Sequence, residues 1–268
     1  MEEIDVPVAG GDLRVLVWPG DGPTVLAAHG ITANALSWAL VAEALAGRVR
    51  LVAPDLRGRA GSAGLPGPYG MAAHAADLIA VADFLGVERV RLAGHSMGGF
   101  VVTETAARHP ARVSSVLLVD GGVPLPLPPG IAVDDALHAV IGPAMRRLSM
   151  TFPSLPEYLA YFRANPALGR YWGPEVEAYV RRDYTGTGSS CRLDAVRADA
   201  HDMLTAAAPA GGFPLLWAPR GLQDEDHGMY SAADVAGMDA SLVPDVNHYT
   251  VLLGAGAARV AEGILALK

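Results

Sequence analysis

The chain has 268 residues, 51% of them hydrophobic and 18% charged, which suits one large domain with a substantial core and excludes intrinsic disorder. Its formal charge of −8, with no basic cluster to offset it, argues against nucleic acid and anionic membranes as partners, and Gly, Pro or a charge interrupts every apolar run short of the ~18 residues a membrane span needs. Cys191 is the single cysteine, so no intrachain disulfide can form, and the acidic start MEEIDVPVAGG lacks the parts of a signal peptide; the expectation is a cytoplasmic protein.

No repeat of 20 to 50 residues is visible. In chain order, EIDVPVA, a GGD turn and LRVLVWP read as a hairpin. TVLAAHG (24–30) reads as a buried strand, and WALVAEALAG (38–47) has helical apolar spacing with Gly47 as its stop. VRLVAPD (49–55) is the next strand, followed by the loop LRGRAGSAGLPGPYG. MAAHAADLIAVADFLG (71–86) predicts an amphipathic helix, RVRLAGH a strand, GGFVVTETAARHP a helix and VSSVLLVD (113–120) a strand. Such alternation calls for a parallel sheet with helices on both faces.

The alternation lapses at GGVPLPLPPG and returns with FPLLWAP (213–219), ASLVPDV (240–246) and a closing helix, AGAARVAEGILALK. Eight of the seventeen aromatic residues lie between 131 and 190. That concentration predicts a helical insertion over 121–211 with its own apolar face. A lid over a pocket is favoured over a plain helical subcore, because pockets in open α/β sheets lie beyond the carboxyl ends of the strands. Residues 1–120 and 212–268 then form the core domain.

Ser96 stands between a predicted strand and a predicted helix in G-H-S-M-G. A turn that tight needs Gly94 and Gly98, where a β-carbon would clash, and it exposes the serine oxygen at a helix amino end. A glycine-rich turn that happens to hold serine is the plainer reading, and the strand–helix context weighs against it. A serine hydroxyl needs a base, itself oriented by a carboxylate. Among the eight histidines, His248 follows the last predicted strand, in PDVNHYTVLL, where its loop can reach Ser96. His95 adjoins the serine but is expected to point away from it. His74, His109 and His138 fall on predicted helices as surface or boundary residues. The loop APRGLQDEDHG (218–228) offers Asp224, Glu225 and Asp226, while Asp120 ends another strand and competes for the role. A metal at 224–227 is disfavoured, since three consecutive acids rarely face one ion. In HGITAN (29–34), Gly30 lets the backbone turn so that the Ile31 N–H joins the Met97 N–H as an oxyanion hole.

HG at 29–30, PDLRGRAGS at 54–62, GHSMGG at 94–99, Gly221 to Asp224, and NH at 247–248 occur in this order, and the chain thereby resembles the α/β-hydrolase superfamily, in particular its small capped esterase-like serine hydrolases. The resemblance implies an eight-stranded, mostly parallel sheet, with a helical cap between the sixth and seventh strands. It implies Ser96 as nucleophile, His248 as base, Asp224 as the orienting acid, and no cofactor or metal. Arg59 and Ala60 stand where the family often has histidine and glycine, a departure expected to alter loop detail alone. The implied activity is cleavage of a small-molecule carboxylic ester with a small hydrophobic acyl or alcohol group. Lactone, thioester, amide and carbon–carbon bond hydrolysis, acyl transfer and perhydrolysis stay open, as does a receptor-like binding role. Serine at the elbow argues against the epoxide hydrolases and haloalkane dehalogenases of this fold, which use aspartate there.

Overall fold

In the computed structural model, which describes residues 1–124, 133–205 and 212–268, one eight-stranded sheet organises the chain. Strands β1 (Glu2–Val8) and β2 (Gly11–Trp18) form the expected hairpin, and β2 pairs antiparallel with β4 (Arg50–Pro54). The remaining pairings are parallel, through β3 (Thr24–Ala28), β5 (Val90–His95), β6 (Val113–Val119), β7 (Leu215–Trp217) and β8 (Ala240–Leu242). The spatial order is β1-β2-β4-β3-β5-β6-β7-β8.

Both faces of this sheet are covered, which explains the unbroken apolar runs of its central strands. Successive side chains leave a strand on opposite faces. Leu26 and Ala28 of β3 enter one core, with Val52 and Leu92, against α2 (Met71–Phe84) and α3 (Met97–Arg108). Val25 and Ala27 enter the other, with Leu51, Ala53 and Ala93, against α1 (Ala39–Leu45) and α8 (Gly254–Ala266). Each fully buried Leu or Val contributes about 1.5–3 kcal/mol, so the strands' order follows mainly from burial on two sides.

Among the described residues, four α-helices fall between β6 and β7: α4 (Val133–Leu148), α5 (Leu155–Arg163), α6 (Pro174–Asp183) and α7 (Leu193–Thr205). Helix α5 starts on Ser154, whose Oγ accepts the Glu157 N–H while its hydroxyl donates to Glu157 Oε1, a side-chain cap that sets its first turn. Residues 125–132, which include the breaker LPLPPG, and residues 206–211 lie outside the described residues.

Two expectations change. β7 and β8 have three residues each, shorter than the stretches 213–219 and 240–246. Pro214 and Pro219 bracket β7 and Pro244 follows β8, and proline has no N–H to give a ladder. His74, expected near the surface, is fully buried, because α7 covers that side of α2 and Asp199 reaches its Nε2 at 3.1 Å.

Candidate active site

Ser96 is the sole residue between β5 and α3 and adopts φ 56°, ψ −122°, a region that costs a non-glycine residue of order 1–3 kcal/mol. The strain is held by close backbone approach on both sides. A β-carbon at Gly94 would overlap the Gly98 carbonyl, and one at Gly98 would overlap the Ala28 carbonyl of β3. The Ser96 N–H donates to Val119 O at 3.0 Å and Ser96 O accepts the Gly99 N–H at 2.9 Å. The serine thus sits on the amino end of a twelve-residue helix, whose free N–H groups favour negative charge.

His248 approaches from the loop after β8, its N–H donating to Arg220 O at 3.1 Å. Its Nδ1 lies 2.6 Å from Asp120 Oδ2. Asp120, fully buried one residue past β6, is itself fixed: its N–H donates to Leu216 O at 2.7 Å and its Oδ1 accepts the Ala218 N–H at 3.0 Å. Asp120 can accept only if Nδ1 carries the proton, which leaves Nε2 as the basic nitrogen.

The expected acid, Asp224, is therefore not the residue on the imidazole. Its Oδ2 pairs with the guanidinium groups of Arg170 and Arg220, and its Oδ1 accepts from Asn247 Nδ2 at 2.9 Å. It lies seven positions beyond the end of three-residue β7, whereas Asp120 caps β6, the direct neighbour of β5. Asp224 reaches the histidine loop through Asn247, whose Oδ1 accepts the N–H groups of Tyr249 and Thr250 at 3.0 and 2.9 Å, and through Arg220, whose carbonyl accepts the His248 N–H.

The loop at Gly30 is set by His29. Its Nε2 accepts the Leu56 N–H at 2.9 Å, so the ring proton is on Nδ1 and is donated to Gly30 O at 2.8 Å. Complete burial drives the His29 pKa down to about 3 and keeps the ring neutral. With that carbonyl held, the trans peptide turns the Ile31 N–H the opposite way. A β-carbon at Gly30 would stand 3.6 Å from Ser96 Oγ, so this peptide runs beside the serine. Neither the Ile31 nor the Met97 N–H donates to a protein acceptor among the described residues, which suits the pair to an oxyanion. His95, expected to point away, has a task of its own: its Nε2 donates to the His248 carbonyl at 2.8 Å, with the two rings 4.8 Å apart.

Ser96, His248 and Ile31 line a cavity of about 260 Å³ whose other wall comes from α4, α5 and α6, including Arg147, Tyr161, Phe162 and Tyr179. Trp172 of the same aromatic-rich segment lies outside that wall. It packs on the cluster of Phe152, Tyr158 and Val180, with the Arg163 guanidinium 4.8 Å over its ring. Among the described residues no group of three His, Cys, Asp or Glu side chains gathers in a metal-binding arrangement, and no helix is long and apolar enough to cross a membrane.

A family model described as the alpha/beta hydrolase fold matches residues 23–186. The chain belongs to the α/β-hydrolase fold family. It is 38% identical over 103 residues to an uncharacterized protein of Mycobacterium tuberculosis, covering 38% of this chain and 30% of that one. It is 38% identical over 116 residues to a fluoroacetate dehalogenase of Burkholderia sp, covering 41% and 38%. The match thus spans about a third of the length of these relatives. Among solved structures, E-2-(acetamidomethylene)succinate hydrolase superposes with a TM-score of 0.76 at 23% identity, covering 99% of this chain and 98% of that one. At that identity the likeness shows the fold alone.

Within this α/β-hydrolase, the departure at Arg59 does more than alter a loop. Arg59 is fully buried. Its Nε donates to Ile31 O at 3.0 Å, one terminal nitrogen donates to Arg57 O at 2.9 Å, and the other lies 3.7 Å from Met97 Sδ. One guanidinium thus touches both residues expected to supply the oxyanion N–H groups. Its charge is met by Asp199 of α7 at 2.5 Å. Burial works to raise the Asp199 pKa, but Arg59 and His74 outweigh it and hold the carboxyl down at about 2.

Proposed function

We propose that the protein is a serine hydrolase that cleaves a carboxylic ester through an acyl-enzyme. The observation that carries this reading is the strained Ser96 elbow opening on the same cavity as His248, with the far imidazole nitrogen held by buried Asp120. Ser96 Oγ attacks the ester carbonyl as His248 Nε2 takes its proton. The Ile31 and Met97 N–H groups receive the oxyanion, and His248 then protonates the departing alcohol. Water, deprotonated by His248, releases the acid from Ser96. Asp120 holds the imidazole in place and stabilises the imidazolium. The four helices between β6 and β7 serve as the cover that excludes water, and the apolar walls at Phe162, Leu168 and Val176 suit a small hydrophobic acyl or alcohol group.

A fluorophosphonate probe tests the nucleophile directly. The parent chain should be labelled and should turn over 4-nitrophenyl esters, while Ser96→Ala escapes labelling and loses at least ~10³-fold in kcat with its melting temperature kept. Equal labelling of the two chains would remove Ser96 from the mechanism.

A further inference from the structure

The cavity contains a cation that ester cleavage does not use. Arg147, on the last turn of α4, is buried. It stacks over the Phe162 ring at 5.0 Å and borders the cavity that holds Ser96. One of its nitrogens, Nη1, donates to Tyr158 Oη at 3.1 Å and Asp183 Oδ2 at 3.2 Å. The same Asp183 oxygen also accepts from Tyr158 at 2.5 Å and Ser189 at 2.8 Å, and Oδ1 accepts the hydroxyl and N–H of Ser190. The carboxylate is thus crowded with donors, and apart from Arg147 none of them lines the cavity. Nε and Nη2 of Arg147 have no acceptor among the described residues, although a guanidinium carries five N–H donors in a fixed fork.

Besides exposed Tyr161, two phenols border the same cavity, Tyr179 and Tyr249. Their hydroxyls have no protein partner among the described residues. Burial pushes both phenol pKa values upward against the pull of Arg147, so each keeps its proton and can donate. The acids on the cavity wall do not answer the charge: Glu175 is exposed to solvent, and Glu225 Oε2 accepts the Gln223 N–H at 2.8 Å. A fork of unused donors, set among apolar side chains where little water screens it, is a receptor for a planar anion.

We propose that Arg147, with Tyr179 and Tyr249, binds a carboxylate carried by the substrate, so that the ester cleaved at Ser96 is a small one bearing a second, ionised acid group. This rests on the serine-hydrolase reading above and names the substrate class for it. An apolar stretch joins the two ends: the ester at Ser96, the carboxylate at Arg147, and a short methylene chain against Phe162 between them. A volume of about 260 Å³ restricts that chain to a few carbons.

The test compares kcat/KM for mono-4-nitrophenyl adipate with that for its neutral methyl ester, in the parent and in Arg147→Met. A second pair carries the carboxylate on the alcohol side, as 4-carboxyphenyl butyrate against the corresponding methyl ester. The parent should favour the anion in at least one pair by about tenfold or more after correction for leaving-group reactivity, the equivalent of one well-made contact. In Arg147→Met that ratio should fall to about two or less. The ratio cancels the fraction of active protein, so partial misfolding of the variant does not blur the result. Free adipate should also slow fluorophosphonate labelling of Ser96 in the parent, and not in Arg147→Met. Parent ratios near one in both pairs, or a preference that survives Arg147→Met, would overturn the carboxylate site and reduce Arg147 to a brace between α4 and α6. Absence of any phosphonate labelling would instead strike the serine-hydrolase reading, a separate outcome.

Discussion

Asp120 and Asp224 are the same residue type in the same left-handed backbone region, with φ 43° and 67°, and both side chains are buried, at 0% and 5% exposure. Their fates differ because of what else reaches them. Asp120 meets one imidazole and one backbone N–H. Asp224 meets two guanidinium groups and an amide. Arginine is charged at every working pH, so Asp224 is neutralised permanently, while the pairing of Asp120 strengthens when His248 takes a proton. A carboxylate assists catalysis when its partner's charge changes during the reaction. It braces structure when that charge is constant.

The sharpest way to break this comparison is Asp120→Asn. The amide no longer enforces the Nδ1–H tautomer or stabilises the imidazolium, so kcat should fall by a factor on the order of 10³–10⁴ with KM little changed. Steady-state kinetics on a 4-nitrophenyl ester would decide it, and a variant within tenfold of the parent would return the role to another acid.

A smaller effect concerns the ground beneath His248. Burial first, and then the nearby His248 charge, lower the His95 pKa to about 3, and His29 is lowered to about 3 as well. In the unfolded chain both would titrate near 6.5. The unfolded state therefore gains protons first as the pH falls. Stability from these neutral rings is complete above about pH 6.5 and drains as the pH drops toward 3. Each ring should cost about 2 kcal/mol between pH 7 and pH 5. Urea unfolding at the two pH values should record the loss, and His95→Asn should remove about half of it. An acid limb of the same depth in both chains would assign the loss to other groups.

The mildest change should be Asp224→Asn. The bond from Asn247 can persist on Oδ1, and the arginine partners are 67% and 30% exposed, so solvent already screens much of their attraction. Stability should drop by about 1 kcal/mol and kcat by less than about tenfold. Melting curves and kinetics on one preparation would check both. A loss rivalling that of Asp120→Asn would mean that the Asn247 link positions His248 far more tightly than its geometry suggests.

Within the sequence, local necessity was readable and long-range choice was not. Ser96 between Gly94 and Gly98 was legible because the elbow's steric demands fall on residues two places away, and the element order followed from apolar runs that need burial on both faces. His248 was legible from its place after the last strand. The aromatic excess over 131–190 announced a helical segment. Which aromatics face the cavity was not written there, since Tyr161 and Phe162 line it while Trp172, ten residues on, joins the cluster behind it.

Pairings across the chain were left to the tertiary structure, for a physical reason. Asp120 and His248 are separated by 128 positions, and the motif place of Asp224, three residues beyond Gly221 after the penultimate strand, favoured an acid that does not reach the imidazole. Strand order decides instead: β6 lies directly beside β5, which brings Asp120 to the serine's side of the sheet, while Arg170, from the helical segment, and Arg220 occupy Asp224. The same holds for Arg59 and Arg147. As letters they are a variant in RGRAGS and a charge near a helix end; buried, one touches both Ile31 and Met97 and the other lies along the cavity wall. A charge acquires its role from the few groups it meets where water is excluded, and those meetings exist only once the chain has folded.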